Sequence, residues 1–350
     1  MRKKRRYYDI KFILVIALAI IVLVNLILTF NITPKEKSIK IKIINDLNCK
    51  ECFNLANAVD FKDVNVKKQE IVDYSSSEGK KLIEKYNLSF IPSIVITGDI
   101  EGVNLDEFEK IEDYLVLTKA FPPYRELSSG SIRGLVSLTY INVSCKKCAS
   151  VYSLVNDLKQ YGIKFARESV LDYKSTEGQE LIDKYGLTKV PTIILDSEAG
   201  VYDIIKTSWK SIGRTSNGVY VLNAFPPYFD LAEDTVKGLV DVTYVEDKEC
   251  NSCYNVSLHK QVLNGFGVVV NDEREVDINE EAGRDLLLKY DITLVPTIIL
   301  SKDADEYARL KSVWPQVGTI EDDGAYVFRK VDIMGTYKDL GEDKVINITK

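Results

Sequence analysis

Three Cys-x-x-Cys pairs use every cysteine in this chain, and each recurs in the same setting. They are Cys49-Lys50-Glu51-Cys52, Cys145-Lys146-Lys147-Cys148 and Cys250-Asn251-Ser252-Cys253. A proline preceded by Ile or Val follows the first cysteine of each pair by 43, 46 and 46 residues, at Pro92, Pro191 and Pro296. One such pair fits a metal site, a structural bridge or a redox centre. Three copies, each answered by the same proline and a β-branched run, specify a tandem array of one redox-type module.

The copies match along their length. A β-type run precedes each pair: SIKIKII (38–44), GLVSLTYI (134–141) and GLVDVTYV (238–245), the alternation expected of strands. A helical stretch is expected after each pair. It is clearest where Val151, Leu154, Val155 and Leu158 form one apolar stripe before Gly162. Asp73, Asp172 and Asp277 each stand 19 residues before their proline and lead into a second helix. Ser75 with Glu78 fits a capping box there. The prolines open buried strands, where a missing N–H is tolerated. An aromatic (Phe108, Trp209, Trp314) and a tyrosine-bearing strand follow, then FPPY at 121–124 and 225–228, which predicts a stiff extended connector. The last copy ends instead on VDIMGTYKDL and KVINITK, a tail expected to add a strand to its own module.

The ends and the charge bound the setting. Residues 1–11 hold six basic residues and one acid, and Phe12–Phe30 is an apolar run of nineteen. At 1.5 Å per residue this run makes a helix of about 28 Å, enough to span a bilayer. Basic residues flank only its first end, so a basic tail (1–11) is expected in the cytoplasm and the remainder outside, a single-pass topology. A cleaved signal peptide is the alternative, but FNITPKEK offers no small-residue cleavage site. The cysteines then face a compartment where disulfides persist. The formal net charge is −6, and the basic tail contributes +5. The acidic remainder repels phosphate backbones, so nucleic acid is an unsuitable partner. No Gly-rich phosphate loop, paired catalytic carboxylates or Ser-His-Asp set stands out.

A strand, a Cys-x-x-Cys, a helix and a later strand opening at Ile-Pro or Val-Pro resemble the thioredoxin-like superfamily. Tandem copies resemble protein disulfide isomerases and multi-domain archaeal disulfide oxidoreductases, over nearly all of residues 36–350. The apolar run gives a transmembrane helix (12–30) and the repeat gives modules at 36–126, 127–232 and 233–350, and the resemblance implies that these modules are α/β domains of the thioredoxin-like fold. It also implies that Pro92, Pro191 and Pro296 are cis and lie against their cysteine pairs, together forming the catalytic set. There are departures. No tryptophan precedes any pair, no pair has a Gly-Pro or Pro-His interior, and the preceding strand has no acid where thioredoxins keep a buried proton acceptor; Asp46 and Asp247 stand in the approach loops.

A thiolate at a helix N-terminus is stabilised by unpaired N–H groups, so Cys49, Cys145 and Cys250 are the expected nucleophiles. Cys52, Cys148 and Cys253 are expected to resolve mixed disulfides. Lys50, Lys146 and Lys147 should lower the thiol pKa further. Bland alternatives accompany each feature. The pairs could be permanent bridges. Zinc would lack two ligands per module, and His259, the only histidine, is expected on a helix surface. Trp209 and Trp314 are expected in core or hinge packing. Sequons at Asn31, Asn87, Asn142, Asn255 and Asn347 suit exposure outside the membrane. The expected function is a membrane-anchored, extracytoplasmic thiol-disulfide oxidoreductase or isomerase. It would act on cysteines of secreted or membrane proteins, with a membrane redox partner and neither cofactor nor metal. The alternative is a non-catalytic thioredoxin-fold scaffold with structural disulfides.

Overall fold

The computed structural model describes residues 22, 38–57, 65–103 and 105–348. The expected span at 12–30 and the basic tail lie outside them, Val22 apart, as does most of the first repeat's expected helix after Cys52. Among the described residues no helix is long and apolar enough to cross a membrane. The chain divides into two compact units, Met1–Ile132 and Arg133–Lys350. The first holds the first repeat, and the second holds the other two.

Each repeat is a mixed α/β unit built on a five-stranded sheet. The opening strand (Ser38–Asn45, Leu135–Asn142, Leu239–Glu246) pairs in parallel with a second strand (Asn65–Asp73, Lys164–Asp172, Val269–Asp277). On its other side it pairs antiparallel with the proline strand (Ser93–Gly98, Thr192–Leu195, Thr297–Leu300). A return strand (Tyr114–Leu117, Val219–Leu222, Tyr326–Phe328) and an edge strand complete five, with the opening strand second in the order.

The alternation in the opening strand explains the layers. In the second repeat Val136, Leu138 and Tyr140 face one way, into a core closed by Val155 and Leu158 of the helix Tyr152–Gln160 and by Ile205 and Trp209. Ile141 joins the opposite core with Ile182 and Leu187. Burying each large aliphatic side chain contributes about 1.5–3 kcal/mol. Trp209 and Trp314 are core residues, and each donates its indole N–H to a backbone carbonyl five residues on. Phe108 differs, since it begins the edge strand Phe108–Ile111.

The three aspartates at the second strand's end are turn formers. Their Oδ1 atoms accept the amides of Ser75, Lys174 and Asn279, an Asx turn that reverses the chain into the next helix. The cap of the first such helix is Ser76, which accepts from the Gly79 amide, so it falls one residue past the expected Ser75. A Cβ at Gly79, Gly178 or Gly283 would overlap the carbonyl oxygen of Asp73, Asp172 or Asp277. Only glycine lets the helix start this close to the strand it leaves.

A second, three-stranded sheet in each repeat was not foreseen. The two residues before the proline (Phe90–Ile91, Lys189–Val190, Leu294–Val295) pair with a hairpin strand (Tyr124–Glu126, Tyr228–Asp230, Tyr337–Asp339). That strand pairs with a last one (Ile132–Arg133, Thr235–Lys237, Lys344–Ile346). The C-terminal tail therefore does add a strand to its own repeat. The hairpins of the first two repeats reach past residues 126 and 232. FPPY accordingly does not form an extended connector: its Pro122-Pro123 and Pro226-Pro227 bonds are cis and it turns the chain into this hairpin.

Candidate functional site

All three cysteine pairs are closed as disulfides within their motifs, with Cα–Cα separations of 5.4, 5.4 and 5.5 Å. Each sits in the loop leaving the opening strand, and all six cysteines are half-buried while Lys50, Lys146 and Lys147 are exposed. The pairs do not open a helix. In the second repeat the helix begins at Tyr152 and in the third at Leu258, four and five residues after the second cysteine. A helix terminus acts over about one turn, so the expected dipole stabilisation of the first cysteine is not built here. The first and third pairs are instead held in turns: Cys49 donates its amide to the Asp46 carbonyl (3.1 Å) and Cys250 to that of Asp247 (3.0 Å).

The prolines stand beside these loops. Ile91-Pro92, Val190-Pro191 and Val295-Pro296 are cis, and all three prolines are buried. The residue after each proline pairs with the inner end of the opening strand: Ser93 with Ile44, Thr192 with Ile141 and Thr297 with Val245. This register puts each proline at the end of the sheet from which the cysteine loop departs. In the second repeat Cys145 and Cys148 pack on the cluster that contains Val190. Thr192 and Thr297 are buried and donate to the carbonyls of Leu222 and Phe328 at 2.6 Å, which fixes the proline strand to the return strand.

The hairpin reaches the same place. The residue after the second cysteine donates its amide to the hairpin turn in every repeat: Phe53 to Pro123 (2.8 Å), Ala149 to Pro227 (2.6 Å) and Tyr254 to Thr336 (2.7 Å). Opposite the residue before each proline the hairpin carries Arg125, Phe229 and Lys338. In the first repeat Arg125 donates to Asp46 Oδ2 through Nε (2.8 Å) and Nη2 (2.6 Å), and its guanidinium lies over the Tyr74 ring. In the third, Lys338 Nζ donates to Asp247 Oδ2 at 2.8 Å. Both aspartates are buried, at 2% and 5% exposure. Burial works against ionisation of Asp247, but bonds from Lys338 and from the Glu249 amide outweigh it and hold the carboxyl below its ordinary range. The Lys338 ammonium is raised, chiefly by its bond to Asp247. The second repeat has neither charge. Val143 occupies the approach loop, and Phe229 packs against Tyr173 with ring centroids 5.4 Å apart.

The third repeat adds a buried polar chain. Tyr254 donates its hydroxyl to the Pro296 carbonyl at 2.6 Å, and His259 Nε2 lies 3.1 Å from the Tyr254 hydroxyl oxygen. The tyrosine proton is committed to the carbonyl, so Nε2 donates. His259 is only 2% exposed and packs edge-on to Phe328, not on the helix surface expected of it. Burial lowers its pKa to about 4, which keeps the imidazole neutral.

Arg125, Lys338, Phe229 and Tyr254 are thus residues of the site that were missed. A signal existed: Tyr124-Arg125, Tyr228-Phe229 and Tyr337-Lys338 stand at one position of the repeat, and the acid three residues before the cysteine is present when that position is cationic.

No family model matches the chain, and no curated protein does. Among solved structures it is similar to ERdj5 form II, at 12% identity over 79% of this chain and 40% of that one, with a TM-score of 0.15. It is also similar to human ERp44, at 9% identity over 76% and 78% of the two chains and a TM-score of 0.15. A third is the NTD_N/C domain of the alkylhydroperoxide reductase AhpF from Enterococcus faecalis, at 14% identity over 47% and 81%, with a TM-score of 0.14. The chain spans about 40% of the length of ERdj5.

Proposed function

We propose that the chain is a thiol-disulfide oxidoreductase with three exchange sites: Cys49–Cys52 with Pro92, Cys145–Cys148 with Pro191, and Cys250–Cys253 with Pro296. The observation that carries this is the threefold recurrence of a half-buried disulfide on a loop leaving the sheet beside a buried cis-proline. A disulfide placed so is open to attack by an outside thiolate. That thiolate attacks the sulfur of the first cysteine and forms a mixed disulfide, while the second cysteine leaves with the bonding electron pair and takes a proton. Attack by a second outside thiolate on its own partner's sulfur then releases the first cysteine. The outside dithiol is oxidised by two electrons and the pair is reduced; run in reverse, the same steps reduce a substrate.

The substrates are cysteine-bearing secreted or membrane proteins, met outside the cytoplasm by a chain tethered through residues 12–30. The apolar run with basic residues on one flank supports this setting. Redox titration of the full chain, with alkylation mass spectrometry following each pair, tests the activity. One or more potentials between roughly −120 and −270 mV are expected. If all three pairs stay oxidised below about −300 mV, they are permanent bridges and the chain is a binding scaffold.

A further inference from the structure

The second repeat carries a cavity of about 450 Å³ against its disulfide, and Cys145 lies in the wall. That volume is within the roughly 300–1,000 Å³ range of sites that enclose a small ligand or a few side chains. Its floor is apolar, made by Val143, Tyr173, Phe229, Val236 and Leu239, and Lys146 and Lys174 stand at the rim. Val236 comes from the last strand of the second repeat's small sheet, and Leu239 begins the opening strand of the third repeat. Lys147 is bonded to the Asn271 side chain of that repeat at 2.6 Å, which pins the cysteine loop against it. The lining acid, Asp172, turns its Oδ1 back to the Lys174 amide.

From these features we infer that this cavity is the docking groove for one kind of polypeptide segment: an extended stretch with a large apolar or aromatic residue next to its cysteine and acidic residues on either side. The inference presupposes that the second pair is the exchange site proposed above, and it adds the substrate class. Apolar burial is non-directional and selects for size; the two rim lysines select for sign and speed the encounter. The hairpin position explains why the groove belongs to this repeat. Phe229 stands where Arg125 and Lys338 stand in the others, and Val143 replaces the buried aspartate, so apolar ground here takes the place of an ion pair. A docked segment brings its thiolate to Cys145 Sγ; the Cys145–Cys148 bond breaks as the mixed disulfide forms, and Cys148 leaves as the thiolate.

Binding can be measured apart from exchange. A fluorescent peptide Glu-Phe-Ser-Glu, with serine in place of the reacting cysteine, is titrated into the oxidised full chain by anisotropy, beside Lys-Ala-Ser-Lys. The acidic aromatic peptide is expected to bind about tenfold tighter, with the difference shrinking at high salt. Lys146→Glu with Lys174→Glu, both exposed and safe for folding, should abolish the preference for acid; Phe229→Lys should remove the preference for the aromatic residue. Equal binding of the two peptides, or a preference untouched by the lysine exchanges, overturns the groove. Reduction of the Cys145–Cys148 pair by dithiothreitol reports the exchange activity separately. A pair that resists dithiothreitol in a chain that still discriminates the peptides overturns the activity and leaves the groove standing.

Discussion

The second and third repeats lie in one compact unit and agree down to the threonine hydroxyl that pins the return strand, yet the ground beneath their disulfides is built oppositely. The third sets its cysteine loop on a buried carboxylate, an ammonium and a Tyr–His chain. The second uses Val143 and a Phe229–Tyr173 stack. One backbone thus supports two solutions to the same problem, which is to fill the space between approach loop and hairpin. A buried ion pair requires both members, because either alone leaves an uncompensated charge. An apolar stack needs only volume, and it leaves an apolar surface against which another chain can pack.

The largest expected effect comes from breaking the ion pair on one side only. Lys338→Phe should destabilise the third repeat by about 3 kcal/mol, because the buried Asp247 carboxylate loses its cation. Asp247→Val with Lys338→Phe copies the second repeat and should recover most of that loss. Amide hydrogen exchange along the strand Leu239–Glu246 gives the local stability that a multi-repeat chain conceals in a single melting curve. A double variant as weak as the single one would show that the two solutions are not interchangeable.

His259 sharpens the same contrast, since Leu154 holds its place in the second repeat. Its folded pKa of about 4 lies below the unfolded value of about 6.5. The unfolded chain therefore binds the proton first, and stability present above pH 6.5 declines as pH falls towards 4, by about 3 kcal/mol across that window. His259→Leu should flatten this slope in the third repeat and leave the second unchanged, read by exchange at each pH. Tyr254→Phe should cost about 2 kcal/mol at neutral pH, as it leaves the Pro296 carbonyl and the His259 N–H without a partner.

Much of this framework was legible in the chain. The opening strands and the positions of the prolines and aspartates recur at fixed spacing, so comparing three copies exposed them, while the cis form of the prolines followed from the resemblance. The small second sheet was not, because strands of two or three residues carry no period to read. The Asp46–Arg125 and Asp247–Lys338 pairs join residues 79 and 91 positions apart, and nothing local marks them. His259 was misjudged although Val256 and Leu263, at i−3 and i+4, already placed it on the buried face. The helix begins later than the cysteine motif suggests, because the residue after the second cysteine first bonds to the hairpin turn.

That offset also resets the smallest expected difference, the acidity of the two first cysteines once reduced. With the helix terminus several residues away, the charges inside each pair become the main local influence. Cys145 has Lys146 and Lys147 beside it, whereas Cys250 has Asn251 and Ser252. A nearby cation favours the thiolate and lowers the thiol pKa. Lys147 is exposed and shares its ammonium with Asn271, so Lys146 should carry most of the effect. At pH 6 the reduced Cys145 is then expected to carry the larger thiolate fraction of the two. Cys145 should alkylate faster than Cys250, and Lys146→Ala should bring the two together. Salt at 1 M screens an exposed charge within about 3 Å, so it should narrow the gap in the unaltered chain and do little in the variant. Equal rates at low salt would mean that the lysines serve the groove rather than the sulfur.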